Sequence, residues 1–102
     1  MLKRVVIANR GEIALRIIRS ARELGIFSIA VYDKSDRLMP FVRSADLAIQ
    51  LEQGQTLPYL DMDQIITIAK GVHADSIHPG YGFISENALF ARIAEEEGIV
   101  FI

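Results

Sequence analysis

The sequence of 102 residues carries a formal net charge of −2, with 51% hydrophobic and 24% charged residues. These proportions are typical of one globular domain, and the weak negative charge excludes an electrostatic attraction to nucleic acid or to an anionic membrane. Cysteine is absent, which excludes a disulfide framework and a thiol nucleophile, and no apolar run has the length of a membrane span.

The first third of the chain predicts a strand, a helix and a second strand. Residues 5–8 form a short apolar run that is typical of a buried strand. A helix follows and ends at Gly25. Its apolar stripe consists of Ile13, Ile17, Ala21 and Leu24, widened by Ala14 and Ile18. Residues 27–32 are predicted to form the second strand.

The remainder continues the alternation of strands and helices. The predicted elements are a polar turn at 33–40, a short helix at 41–45, a strand at 47–51, a helix at 59–70 ending at Gly71, a strand at 75–78, a helix at 86–97 and a last strand at 99–102. Ser85 is the expected N-cap of the last helix, with Glu86 adding negative charge at its positive end. Gly98 closes that helix.

This order of elements predicts an α/β domain: a Rossmann-like parallel sheet of about five strands with helices on both faces. Neither repeats nor linkers interrupt it, so we expect one domain over residues 1–102. Open α/β sheets bind ligands beyond the carboxyl ends of their strands. The candidate segments are therefore 9–12, the region of Asp33, and 78–85.

Two common functions of such sheets are not expected. A dinucleotide site needs three glycines in the first strand-to-helix turn, where this chain has only Gly11, although Asp33 stands where a ribose-binding acid would lie. A receiver domain needs a carboxylate cluster at the ends of its early strands. Here the first strand ends in Asn9 and Arg10, which places a cation in that position.

The glycine-rich segment 80–85 precedes a predicted helix and partly matches a phosphate-binding pattern. Free backbone N–H groups there suit an anion or a polar carbonyl, although a tight turn alone also explains two glycines. His78 has no second ligand at metal spacing, and His73 is placed on the far side of the sheet, so no metal site is expected.

Arg19 and Glu23 are four residues apart on the first predicted helix. Side chains at this spacing can form an ion pair within the helix, worth a few tenths of a kcal/mol. Alternatively, they pair across a subunit interface.

Three segments together resemble the N-terminal domain of biotin carboxylase. They are Ile7-Ala-Asn-Arg-Gly-Glu-Ile-Ala14, Ala74-Asp-Ser-Ile-His-Pro-Gly-Tyr-Gly-Phe-Ile-Ser-Glu-Asn87 and Gly98-Ile-Val-Phe-Ile102. The resemblance spans the whole chain in order and spacing. It implies a pre-ATP-grasp domain of an acetyl-CoA, propionyl-CoA or pyruvate carboxylase, or of a related enzyme.

In that family ATP and bicarbonate form carboxyphosphate, and biotin on a carrier domain accepts the carboxyl group. By resemblance, Gly80, Tyr81 and Gly82 line the biotin pocket, and Arg19 and Glu23 belong to a homodimer contact. Catalytic residues and the groups that hold ATP and Mg²⁺ are expected later in the polypeptide. The isolated chain is therefore expected to be inactive and to bind none of these cofactors tightly. The implied partners are the carrier domain and a carboxyltransferase. Neither nucleic acid nor a membrane is an expected partner, and the expected location is the cytoplasm.

Two departures from the family pattern bear on which subfamily the chain resembles, and less on the family itself. Residues 51–58 lack the usual Gly-Pro-x-x-Ser type of sequence, and Phe41 replaces a common histidine. The chain stops where relatives continue with Gly-Pro, so truncation before the ATP-grasp domain is expected.

Two alternative functions remain open from the sequence: the leading domain of another ATP-grasp enzyme, such as a carbamoyl-phosphate synthetase, or an independent anion-binding module. The sequence leaves the cis or trans state of the His78–Pro79 bond open.

Overall fold

The computed structural model describes residues 2–85 and 87–102 of the chain. Five strands alternate with four helices. The strands are β1 (Arg4–Ile7), β2 (Phe27–Tyr32), β3 (Leu47–Gln50), β4 (Ser76–His78) and β5 (Val100–Phe101), and the helices are α1 (Gly11–Glu23), α2 (Pro40–Ser44), α3 (Met62–Gly71) and α4 (Ala88–Glu96). Short 3₁₀ turns cover Lys34–Asp36 and Pro58–Leu60.

The strands form one parallel sheet in the order β3-β2-β1-β4-β5. β1 is the central strand and pairs with β2 on one side and β4 on the other, with Ile7 opposite both Ala30 and His78. The predicted fold class, a parallel five-stranded α/β sheet, is therefore confirmed. The chain adds β2 and β3 on one side of β1 and then returns to add β4 and β5 on the other.

Helices cover both faces of the sheet because adjacent strand residues point to opposite sides. On one face, α1 and α2 form a core whose buried members are Val5, Ile7, Ala14, Leu15, Ile18, Ala21, Ala30 and Phe41. On the other face, α3 and α4 form a core that includes Val6, Ile29, Ile65, Ala69, Ile77, Phe90 and Ala94. Phe41 is fully buried and fills the first of these cores.

The predicted phase of α1 is wrong by part of a turn. The buried residues of α1 are Ala14, Leu15, Ile18 and Ala21, whereas Leu24 is 75% exposed. Ile13 and Ile17, which the sequence places in the centre of the stripe, are only partly buried. The reason is that α2 also contacts α1 and joins the same core, so the buried face extends to Leu15.

One predicted helix cap also needs correction. Ser85 is not the cap of α4: the cap is Asn87, whose Oδ1 accepts a hydrogen bond from the Phe90 N–H at 3.1 Å. The predicted role of Glu86 lies outside the described residues. The predicted end of α3 at Gly71 is confirmed, and the residue in the left-handed conformation after it is His73, with φ of 58°.

We expect Ile18→Asp to abolish cooperative folding and Ile17→Asp to be milder. Ile18 is fully buried, so a carboxylate there costs several kcal/mol against a total stability of about 5–15 kcal/mol. Ile17 is partly exposed, so a carboxylate there retains contact with water. Urea denaturation followed by circular dichroism compares the two variants. Equal losses of stability would contradict the observed phase of α1.

Candidate functional site

The candidate site lies at the carboxyl edge of the sheet, between β1 and β4. The chain order reverses at this point, because β2 and β3 extend from one side of β1 and β4 and β5 from the other. Such a reversal leaves a crevice between the connections that follow the two strands, and open α/β sheets bind their ligands there. Residues 9–12 and 78–85, two of the three predicted segments, meet at this crevice.

Asn9 joins the two segments. Its side chain is 1% exposed, and its Nδ2 donates hydrogen bonds to the carbonyl oxygens of Pro79 and Tyr81, both at 2.8 Å. Its Oδ1 accepts from the Arg10 N–H at 2.8 Å. Because carbonyl oxygens only accept and the backbone N–H only donates, these partners settle the orientation of the amide.

Gly80 occupies the closest approach between the segments. Its φ is 65°, and a Cβ atom at this position would lie 2.8 Å from both Asn9 Nδ2 and Ile13 Cγ2. Its N–H donates to His78 Nδ1 at 3.1 Å. Both the backbone conformation and the space therefore require glycine at position 80. The His78–Pro79 bond is trans, since no cis peptide occurs among the described residues.

Gly82 also has a positive φ, of 76°, but a Cβ atom there would meet no heavy atom within 4 Å. The neighbouring Tyr81 is 73% exposed. Within the described part of the chain, the N–H groups of Tyr81 and Gly82 make no hydrogen bond, whereas the Gly82 carbonyl accepts from the Ser85 N–H at 2.9 Å. The loop thus presents two backbone donors and an aromatic ring at the surface.

A second polar cluster lies beside the loop and was not predicted. The Arg10 guanidinium donates to both carboxylate oxygens of Asp36, at 2.8 and 2.7 Å. The Tyr59 hydroxyl donates to Asp36 Oδ2 at 2.7 Å and accepts from the Asp33 N–H at 3.0 Å. Asp33 therefore helps to anchor this cluster through its backbone.

The charges in this cluster compensate one another. Hydrogen bonding to Arg10 lowers the pKa of Asp36 below its ordinary value of 3.8, so the buried carboxylate stays ionised. The same hydrogen bond raises the pKa of Arg10. Burial raises the pKa of Tyr59, which keeps its hydroxyl protonated as a donor. The cluster is thus a neutral, fixed support rather than a proton-transfer site.

The loop also contacts this cluster. The rings of Phe83 and Tyr59 stack with centroids 5.3 Å apart, and Ile84 is 1% exposed. Phe83 has a φ of 45°, an uncommon conformation for a bulky residue. The segment that follows Gly82 is therefore held by packing, while the segment before it is held by Asn9.

Arg19 and Glu23 lie elsewhere. Both side chains are exposed on α1, toward its C-terminal end, whereas the glycine loop lies near the N-terminal end of α1. Among the described residues, the ion pairs are Arg10–Asp36 and Lys70–Glu97, so Arg19 and Glu23 are not paired within the helix. The intrahelical pair is therefore not formed in this structure.

The described residues do not provide a metal centre. No group of three or more His, Asp and Glu side chains among them is arranged to hold a metal ion. In the same residues, no helix combines the length and the apolar character that crossing a membrane requires.

Comparison with known proteins gives a match over the whole chain. The family model described as "Biotin carboxylase, N-terminal domain" matches residues 1–102. The 2-oxoglutarate carboxylase small subunit of Hydrogenobacter thermophilus is 46% identical over 102 residues, which cover 100% of this chain and 22% of that protein. Biotin carboxylase 1 of Bacillus subtilis is 47% identical over 103 residues, covering 100% and 23%.

Solved structures agree with this match. One of them is the biotin carboxylase domain dimer of the Hydrogenobacter thermophilus 2-oxoglutarate carboxylase, in complex with MgADP, ADP and bicarbonate. It superposes with a TM-score of 0.94 at 46% identity, and the match covers 99% of this chain and 22% of that one. The biotin carboxylase subunit of a pyruvate carboxylase gives a TM-score of 0.94 at 48% identity, with the same coverage of 99% and 22%.

We expect His78 to make stability dependent on pH. Burial lowers the pKa of His78 below its ordinary value of 6.5. The unfolded chain then binds a proton at a higher pH than the folded protein, so the free energy of unfolding falls as the pH drops below 6.5. His78→Asn keeps an acceptor for the Gly80 N–H and removes the titration. Urea denaturation at about pH 7.5 and 5.5 should show a smaller loss for the variant. Parallel losses would contradict this prediction.

Proposed function

The chain belongs to the family of biotin carboxylase N-terminal domains, and we propose that it acts as the leading domain of a biotin carboxylase, where its glycine loop forms one wall of the biotin site. The chain spans about a fifth of the length of the matched Hydrogenobacter and Bacillus relatives, 22% and 23%. The activity therefore belongs to the longer polypeptide, and this domain contributes part of its site.

The reaction is the ATP-dependent carboxylation of biotin. ATP and bicarbonate form carboxyphosphate, and a biotin held on a carrier domain accepts the carboxyl group. The neighbouring structure with MgADP and bicarbonate supports the use of these ligands by this family. In this proposal ATP and Mg²⁺ bind to the rest of the enzyme.

One observation carries the assignment of the biotin site: Tyr81 and Gly82 present unpaired N–H groups at the crevice where the chain order reverses. The ureido carbonyl of biotin is a polar acceptor that such donors suit. The exposed Tyr81 ring offers an apolar surface for the fused rings of biotin. An added Cβ atom at Gly82 would point into open space, which is where a ligand would lie.

The enzyme assembles with partners. The carrier domain brings biotin to the loop, and a carboxyltransferase component uses the carboxylated product. Arg19 and Glu23 contact a second copy in a homodimer, which is supported by their exposure, by the absence of an ion pair between them, and by the dimeric neighbour. A cytosolic location remains a prediction.

The family match favours this function over the two alternatives considered from the sequence. The relatives at 46% and 47% identity are carboxylases, which supports a biotin carboxylase over a carbamoyl-phosphate synthetase. An independent anion-binding module would not explain similarity across all 102 residues. The anion-binding alternative also expected the glycine loop to adjoin the positive end of the last helix. That helix begins only at Ala88.

In the enzyme that carries this chain, we expect Gly82→Val to reduce biotin-dependent ATP hydrolysis at least tenfold relative to biotin-independent hydrolysis. Tenfold corresponds to about 1.4 kcal/mol in the barrier. Valine adds a branched side chain in the space open to a ligand and strains a residue with φ of 76°. The measurement is the two steady-state rates on the same folded preparation.

Gly25→Val is the matched control. Gly25 has a φ of 72° and no heavy atom within 4 Å of an added Cβ, so valine there causes similar backbone strain at the end of α1, remote from the loop. Strain of this kind costs roughly 1–2 kcal/mol. The control should lose stability and keep its ratio of rates. An equal fall of both rates in Gly82→Val would contradict the assignment of the loop to biotin.

We expect Arg19→Glu to weaken dimerisation of the same enzyme about tenfold or more, or about 1.4 kcal/mol. The substitution reverses a charge at the contact and adds a like charge four residues from Glu23. Arg92→Glu makes the same change on an exposed position of α4, on the opposite face of the sheet. Sedimentation at several concentrations gives the dimer constants. An unchanged constant for Arg19→Glu would show that this residue lies outside the interface.

A further inference from the structure

We propose that Asn9 is the positioning residue of the glycine loop, and that its amide sets the direction of the Gly82 N–H. This inference rests on the proposed function, because the Gly82 N–H matters only if the loop contacts biotin. Asn9 itself does not touch the ligand in this proposal. It acts through the backbone of the loop, from the end of β1.

The geometry gives Asn9 a bridging role. Both hydrogens of one NH₂ group are used, on the Pro79 and Tyr81 carbonyl oxygens at 2.8 Å each. These carbonyls belong to the peptide before Gly80 and the peptide after Tyr81, so a single planar group holds the backbone on both sides of these two residues. Asn9 is 1% exposed, and a buried hydrogen bond lacks water as a competing partner.

The planarity of the peptide bond transmits this constraint. In a trans peptide the C=O and the following N–H point in opposite directions. Because the Tyr81 carbonyl points inward to Asn9 at 2.8 Å, the Gly82 N–H of the same peptide points outward. Asn9 therefore prepares a donor for a ligand without contacting the ligand.

The other loop contacts do not duplicate this function. His78 Nδ1 accepts from the Gly80 N–H at 3.1 Å, which orients the peptide between Pro79 and Gly80. The Phe83 ring stacks on Tyr59 and holds the chain after Gly82. Of the hydrogen bonds formed by the described residues, only that from Asn9 holds the peptide between Tyr81 and Gly82.

Asparagine is required for its donor and not only for its size. Aspartate has the same shape and keeps an acceptor for the Arg10 N–H, the third partner of Asn9, at 2.8 Å. An ionised aspartate has no hydrogen to donate and places negative charge against two carbonyl oxygens. Asn9→Asp therefore removes the two bonds that the proposal invokes and preserves the volume of the side chain.

The experiment measures KM for free biotin and for MgATP in the enzyme that carries this chain, for Asn9→Asp, Asn9→Ser and Gly82→Val. We expect Asn9→Asp to raise the KM for biotin at least tenfold, without a matching rise in the KM for MgATP. Asn9→Ser keeps one hydroxyl donor and should give an intermediate rise. It also provides the test if Asn9→Asp fails to fold.

Asn87→Asp is the matched control, since it makes the same chemical change and keeps the α4 cap, where Oδ1 accepts from the Phe90 N–H. This control should show the wild-type KM for biotin. If Gly82→Val raises the KM for biotin and the Asn9 variants do not, the loop serves biotin and the role of Asn9 is overturned. If Gly82→Val also leaves this KM unchanged, the proposed function itself fails. Equal rises of both KM values would assign Asn9 a general structural role and overturn the inference.

Discussion

The buried amide of Asn9 is the constraint on which the rest of the site depends. It connects the end of β1 to a loop 70 residues further along the chain, and it satisfies three backbone groups at once. Leaving a buried donor or acceptor without a partner costs about 1–3 kcal/mol. The loop must therefore approach Asn9 closely enough to form these hydrogen bonds. Only glycine at position 80 permits that approach.

The Arg10–Asp36–Tyr59 cluster extends this constraint to the other half of the sheet. Asp36 lies in the turn after β2, and Tyr59 in the 3₁₀ turn before α3. The Asp36 side chain is 6% exposed and receives hydrogen bonds from two charged or polar partners, so its burial is compensated. Through Tyr59 the cluster also supports Phe83. The connections after β1, β2, β3 and β4 are thus linked to one another at the carboxyl edge of the sheet.

The sequence predicts local features well and long-range polar contacts poorly. β2 matches its predicted bounds, 27–32, because a continuous apolar run between turn residues admits few alternatives. The phase of α1 depends on α2, a neighbour that the helical periodicity does not contain. The Ser85 cap was predicted because serine suits an N-cap, but asparagine at position 87 suits it equally, and only the course of the loop decides between them.

For the candidate site, the segments that meet at the crevice were predicted from the order of strands and helices. The partners of Asn9, Arg10 and Asp36 were not, because nothing in the local pattern pairs residues 23 to 72 positions apart. A buried polar residue directly after an apolar strand was the one available signal.

The order of the loop bears on the proposed contribution of this domain to an enzyme. A flexible glycine loop loses conformational entropy when it binds a ligand, and that loss reduces affinity. Here the loss occurs during folding, because Asn9, His78 and the Tyr59–Phe83 stack order the loop before any ligand arrives. The glycines then supply the unusual backbone angles, and the surrounding fold removes their freedom. In the proposed function, the donors of Tyr81 and Gly82 and the exposed Tyr81 ring remain for the ligand. In the proposed function, the domain is therefore a preordered support that presents backbone N–H groups to chemistry carried out by the rest of the enzyme.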